Sequence, residues 1–97
     1  MKTIWKTQLY PTNNLPVGIP PDAKVVSVGP DPQSLPHPAS SVAIWFEIDP
    51  DTLSFEDQRP DQELYLTGTG YPIWGEADEF VGTAVMPPFA WHVWKRT

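Results

Sequence analysis

The heptapeptide VAIWFEI, residues 42–48, decides the fold class, because it is apolar at almost every position. A strand with one solvated face alternates apolar and polar residues, whereas a strand covered on both faces carries a nearly continuous apolar run. This stretch therefore predicts a central β-strand, and the rest of the chain is arranged around it.

Segments on both sides of this strand have the β-branched, aromatic or alternating composition of further strands. Thirteen prolines spread along the chain leave little room for helix. The sequence therefore predicts an all-β protein, a small antiparallel sandwich or partly open barrel of about six strands with little or no helix. The five additional strands are predicted at residues 2–10, 23–29, 63–69, 80–86 and 89–96.

A length of 97 residues is enough for one domain, which we predict to cover residues 1–97. Proline-rich loops are expected near residues 11–22 and 30–40, and an acidic loop near residues 49–62. A chain this short buries a modest core, so self-association would help its stability. We therefore expect a homo-oligomer.

The composition excludes several classes of function. The formal net charge is -6, so the chain repels phosphate backbones, and no nucleic-acid polymer is expected as a partner. The chain has no cysteine, which excludes disulfides, thiolate metal sites and cysteine nucleophiles. The first ten residues, MKTIWKTQLY, do not have the pattern of a signal peptide, and no stretch is apolar enough to span a bilayer. We expect a soluble intracellular protein without a membrane partner.

Catalytic side chains are poorly placed in the sequence. His37 lies in a proline-rich loop, and His92 lies inside a predicted strand between Trp91 and Val93. A catalytic triad needs a nucleophile held on a rigid turn and directed at a base, and no G-x-S-x-G elbow is present. We expect His92 to be a sheet histidine held by hydrogen bonds, and the protein not to be an enzyme.

The acidic stretch DPDTLSFED, residues 49–57, is the only candidate for a metal loop. A calcium-binding EF-hand loop needs glycine at its sixth position and glutamate at its twelfth. Those positions are occupied by Ser54 and Pro60, so the match fails. We predict a solvated acidic loop, with no metal and no cofactor.

The glycine-rich stretch LTGTGYPIWGEADEFVGT, residues 66–83, has two interpretations. TGTG is similar to fragments of phosphate-binding loops, but no helix follows to complete such a site. Glycines are also what a sharp strand exit needs. We expect Gly68 and Gly70 to form a turn, after which Tyr71, Ile73 and Trp74 fold over one end of the sheet. This stretch is either only a turn or a turn whose far side is the wall of a pocket.

The distribution of cations suggests a second element of that pocket. Four of the six basic residues lie near the termini: Lys2, Lys6, Lys95 and Arg96. If the first and last strands are neighbours, these cations gather beside Trp5, Trp91 and Trp94. A cationic aromatic patch on an acidic protein suits a small anionic ring compound. The alternative is that these residues only solubilise a sheet edge.

Short motifs along the chain carry a resemblance to a known family. IWK, VVSV, AIWFEIDP, GTGYP, FVGT and WHVW occur in this order. The chain thus resembles short uncharacterised proteins of tailed bacteriophages, in which a GTG-H/Y-P turn precedes a YIGT-like strand and a terminal WHVF-like strand. The resemblance covers nearly the whole chain, apart from longer loops around residues 30–40 and 51–61. It implies a phage origin and action in the host bacterial cytoplasm or in the virion.

Together these observations predict a non-enzymatic, phage-encoded binder that sequesters a host antiviral signalling nucleotide. The expected ligand is a small anionic compound such as a cyclic nucleotide or an ADP-ribose derivative. One alternative is a protein-interaction module that acts on a host defence protein or is a minor virion component. Another is a hydrolase of a signalling nucleotide. The predicted ligand-binding residues are Lys6, Gly70, Tyr71, Trp74, Trp91, Trp94, Lys95 and Arg96.

Overall fold

The structure is a computed structural model that describes residues 1–11, 15–31, 41–52, 60–73, 77–86 and 89–96. Its regular elements are seven β-strands and one 3₁₀ turn at Pro50–Thr52, so the all-β prediction is confirmed. Among the described residues, no helix has the length and apolar character needed to cross a membrane. The strands are β1 (Thr3–Leu9), β2 (Val17–Ile19), β3 (Lys24–Pro30), β4 (Val42–Ile48), β5 (Gln62–Gly68), β6 (Glu79–Met86) and β7 (Phe89–Arg96).

The strands form two antiparallel sheets. The first has the order β1-β4-β3, and the second has the order β2-β5-β7-β6. The apolar strand β4 is the middle strand of the first sheet, and most of its side chains are buried, as its sequence predicts. The two sheets do not join into a closed barrel.

One strand is absent from the sequence-based prediction. β2 lies inside the segment assigned to the first proline-rich loop, and it is only three residues long between Pro16 and Pro20. It pairs with the start of β5, where Val17 lies opposite Leu64. A strand this short has no periodicity of its own, because its existence depends on the strand that it pairs with.

The core lies between the inner faces of the two sheets. In the first sheet, residues that lie opposite each other in β1 and β4 are on the same face: Trp5 lies opposite Phe46, and Thr7 lies opposite Ile44. In the second sheet Leu64 and Val93 are fully buried. The largest apolar members of the core are Leu9, Ile19, Val42, Ile44, Phe46, Ile48, Leu64, Met86 and Val93.

The two sheets approach each other most closely where β3 and β6 lie side by side. Both strands contain a bulge, between Val25 and Ser27 in β3 and between Phe80 and Gly82 in β6. Gly82 lies against Val28: a Cβ atom on Gly82 would be 3.0 Å from Val28 Cγ2. Because bulges bend and twist an edge strand, they allow these two edges to pack without a shared ladder.

This contact predicts that Gly82→Ala destabilises the fold by about 1–3 kcal/mol, because the added methyl group overlaps the Val28 side chain. The measurement is urea-induced unfolding. Gly29→Ala is the matched control, because a Cβ there would be 3.8 Å from Trp45, which is an ordinary contact distance. Equal stability of the two variants would contradict this account of the sheet contact.

Candidate binding surface

The glycine-rich stretch forms a tight turn at the end of β5. The Tyr71 amide donates a hydrogen bond to the Gly68 carbonyl at 3.1 Å, which closes the turn. Gly70 occupies the third position of the turn with φ +87°, a conformation that glycine adopts without steric cost. The sharp exit predicted from the two glycines is therefore present.

Two aromatic rings pack against the end of this strand. A Cβ atom on Gly68 would lie 3.2 Å from Tyr71 Cδ2 and 3.3 Å from Trp91 Cζ3. Both rings therefore fill the space that a side chain at position 68 would need. Trp91 also contacts Phe89, with ring centroids 5.9 Å apart.

These residues form an exposed apolar end of the four-stranded sheet, where β5 and β6 end and β7 begins. Tyr71 is 71% exposed, Val85 is 65% exposed and Phe89 is 62% exposed, while Trp91 is half-buried. We call Gly70, Tyr71, Phe89 and Trp91 the apical surface; Val85 pairs with Ala90 and points to the opposite face of the sheet. Clustered exposed apolar side chains of this kind mark interaction sites.

The opposite end of the same sheet is charged. Because β7 runs antiparallel to β5 and β6, the cations that end β7 meet the glutamates that begin its two neighbours. Arg96 Nη2 lies 2.7 Å from Glu63 Oε1, and Lys95 Nζ lies 3.2 Å from Glu79 Oε2. Lys95 also donates to Gln62 Oε1 at 3.1 Å. The C-terminal cations are therefore already paired inside the chain.

Lys6 is paired as well, in the other sheet. Its Nζ lies 3.1 Å from Oδ1 of Asp31, whose side chain is fully buried. The Asp31 carboxylate also accepts hydrogen bonds from the Gln8 amide and, at 3.3 Å, from the Ser41 hydroxyl. These contacts form a structural cluster that joins β1 to the ends of β3 and β4. Lys6 is held in it because, without the lysine, the buried Asp31 carboxylate would have an uncompensated charge.

The charges in the described residues are segregated along the strands. Gln62 Nε2 donates to three carbonyls just before β3, so β3 and β5 start on the same side of the molecule. We call that side the charged end. Within the described ranges, every charged side chain except Lys6 and Asp31 belongs to it: Lys2, Asp22, Lys24, Glu47, Asp49, Asp51, Asp61, Glu63, Asp78, Glu79, Lys95 and Arg96.

At this charged end the Met1 ammonium donates hydrogen bonds to Asp51 and Asp49, and both bonds raise the pKa of the ammonium group. The bond from the ammonium group also lowers the pKa of the Asp49 carboxyl, assisted by the Asp51 backbone amide. These contacts connect the start of β1 to the 3₁₀ turn after β4.

His92 lies on the outer face of the four-stranded sheet. Its Nε2 is 2.7 Å from the Thr69 hydroxyl and its Nδ1 is 2.9 Å from the Thr83 hydroxyl. A hydroxyl can donate or accept, so the two threonines satisfy both ring nitrogens in either tautomer. His92 thereby ties the β5 turn to β6, which is the structural role that its position in a strand suggests.

Trp94 lies on this outer face too, with its ring 5.4 Å from that of Phe80. Its Nε1 is buried and has no hydrogen-bond partner among the residues that the structure describes. Trp94 and Trp91 therefore point to opposite faces of the sheet, since they are three positions apart in one strand.

The structure brings three of the eight predicted ligand-binding residues together: Gly70, Tyr71 and Trp91. Lys95 lies four positions along β7 from Trp91, which corresponds to roughly 13 Å. The predicted gathering of terminal cations required β1 and β7 to be neighbours. That condition is wrong, because β1 pairs with β4 while β7 pairs with β5 and β6. Trp74 lies outside the described residues.

One exposed residue of the apical surface, Phe89, was missed by sequence reasoning. Phe89 is the first residue of β7, whose sequence has an ordinary alternating pattern. One pattern in the sequence could have indicated how the strands pair. Acidic residues lie at or near the starts of β5 and β6, and β7 ends with Lys-Arg. Antiparallel pairing of such strands brings these charges together at one end of the sheet.

The fold and this surface define a class: a two-sheet antiparallel β-domain with a charged end and an opposite end that carries exposed aromatic rings. The chain belongs to the family described as Domain of unknown function (DUF7352), whose family model matches residues 1–97. No curated protein and no solved structure matches the chain.

The structural role of His92 predicts the effect of replacing it. His92→Phe keeps a ring beside Phe80 but removes both hydrogen bonds, which lowers stability by about 1–2 kcal/mol. Loss of the bond to Thr69 also loosens the turn, so hydrogen exchange of the Tyr71 amide becomes faster. Thr83→Val is the control, because it removes only the bond to β6. An unchanged exchange rate for Tyr71 in His92→Phe would contradict the tether.

Proposed function

We propose that the protein is a non-enzymatic protein-interaction module whose contact surface is the apical surface. The observation that carries this proposal is the row of aromatic rings Tyr71, Trp91 and Phe89 at one end of the sheet, in which Tyr71 and Phe89 are each more than half exposed. Aromatic side chains that pack against one another and remain accessible are typical of interface hot spots.

The location of the cations favours a protein over a signalling nucleotide. A nucleotide needs cations near the stacked base, because its phosphates must be neutralised. Among the described residues, Lys95 and Arg96 lie at the charged end, and Lys6 is bound to a buried carboxylate. A phosphate would have to displace a carboxylate of the chain itself to reach any of these three.

The residues around His92 give little support for an enzyme. Both ring nitrogens are occupied by threonine hydroxyls. A base in a catalytic triad is oriented by a carboxylate, which stabilises the positive charge that the ring acquires. A hydroxyl in that position stabilises it far less, which is consistent with a structural histidine.

The resemblance to tailed-phage proteins supports an infected bacterium as the place of action. In that setting the interacting protein would be a host defence protein or a component of the virion. Charge supports the exclusion of nucleic-acid polymers, because the chain carries a formal charge of -6.

Site-specific cross-linking tests the proposal. A photoreactive phenylalanine analogue replaces Phe89, and a bacterial host expressing this variant is irradiated. Covalent protein adducts are expected, because the side chain at position 89 projects from the apical surface. The matched control carries the same analogue at Ile4, which is 51% exposed in the other sheet. Adducts that are absent at position 89, or equally abundant at position 4, would refute the proposal.

The nucleotide alternative makes a different prediction. Cyclic dinucleotides and ADP-ribose derivatives are expected to leave the melting temperature of the protein unchanged, because no described cation faces the apical rings. Differential scanning fluorimetry across such a panel is the measurement. A saturable stabilisation that disappears in Tyr71→Ala, with the fold retained, would restore nucleotide sequestration as the function.

A further inference from the structure

We infer that Lys6 and Asp31 form an intramolecular isopeptide bond, an amide that joins the lysine Nζ to the aspartate carboxyl carbon. The bond links β1 to the residue that follows β3, across the central strand β4 that lies between them. This modification site belongs to the three-stranded sheet and shares no residue with the apical surface. The inference is therefore independent of the proposed function.

The fold holds the two reacting groups against each other. Lys6 lies in the middle of β1, and Asp31 comes directly after the last residue of β3. Lys6 Nζ is 3.1 Å from Asp31 Oδ1, so the amine lies next to the carboxyl carbon that carries this oxygen. The Asp31 side chain is fully buried, and the Lys6 side chain is 23% exposed. Groups that are fixed in contact react as if each were present at a very high concentration.

The second carboxylate oxygen is placed to accept the negative charge that develops during the reaction. Gln8 Nε2 and Ser41 Oγ both donate hydrogen bonds to Asp31 Oδ2, the serine at 3.3 Å. The Tyr10 hydroxyl donates to Gln8 Oε1 at 2.7 Å, which leaves the nitrogen of the Gln8 amide facing Asp31. Donors arranged around an oxygen that becomes an oxyanion lower the barrier to acyl transfer.

The reaction is a condensation that releases one water molecule. A proton moves from the Lys6 ammonium group to Asp31 Oδ1, which gives a neutral amine and a carboxylic acid. The nitrogen lone pair forms the N–C bond while the double bond to Oδ2 opens, so Oδ2 carries the negative charge. The double bond then forms again, the bond from carbon to Oδ1 breaks, and Oδ1 takes a second proton from the nitrogen and leaves as water. No oxidant or co-reactant is needed.

Burial favours the amide over the ion pair from which it forms. A buried ion pair has a desolvation cost for both of its charges, whereas an amide is neutral. The link also suits a chain that has no cysteine. Like a disulfide, it closes residues 6–31 into a ring and thereby restricts the unfolded chain.

The intact mass of the purified full chain, measured after denaturation, tests the inference. The mass is expected to be lower than that of the sequence by one water molecule. Trypsin is expected not to cleave after Lys6, because the side chain is acylated, and the peptide that contains Lys6 is expected to be joined to the one that contains Asp31. A folded chain that keeps its full mass, when fresh and after prolonged incubation, would overturn the inference.

Lys6→Arg is the matched control, with circular dichroism to show that it is folded. It keeps a positive charge beside Asp31, but a guanidinium group stays protonated and does not attack a carboxyl group. Its full mass is therefore expected. Loss of water that persists in Lys6→Arg would overturn the inference, because another group would then be its source. Ring closure of Asp31 on the following backbone nitrogen is not such a source, since residue 32 is proline and has no N–H.

Discussion

The antiparallel register of β7 between β5 and β6 is the constraint on which the rest of the molecule depends. It aligns Glu63 with Arg96 and Glu79 with Lys95, so two cations and two carboxylates meet at one end of the sheet. The same register puts Gly68 opposite Trp91 at the other end, where the missing side chain leaves room for two aromatic rings. One pairing pattern therefore produces both the charged end and the apical surface.

The strands were predictable because the patterns that define them are local. β4 and β7 have the predicted bounds, and each of the other long strands differs by one residue at one or both ends. The pairing was not predictable, because Arg96 and Glu63 are 33 positions apart and nothing in either neighbourhood specifies the other. The strands that carry the cations were therefore predictable, but the strands that lie next to them were not. As a result, Lys6 was grouped with residues of a different sheet.

Glycines in this chain serve packing as much as turn geometry. Gly70 has the positive φ that a turn requires, whereas Gly68 and Gly82 are needed because neighbouring side chains occupy the space of a Cβ atom. A sequence motif such as GTG cannot separate these uses, since the close approach of Trp91 or Val28 comes from a distant strand. This explains why TGTG is similar to a phosphate loop although its glycines accommodate aromatic rings and a turn.

Charge segregation also limits the ways in which the protein can associate. A surface of uniformly mixed charge offers many weakly favourable contacts, whereas a molecule with one charged end penalises every orientation that brings that end near another acidic surface. Specificity then comes from repulsion at the charged end as well as from apolar contact at the other. The paired cations contribute to this repulsion, because Lys95 and Arg96 are held by glutamates of their own sheet and are less available to attract an acidic partner. For the proposed interaction module, this repulsion favours contact through the apical surface, without any single strong interaction to enforce it.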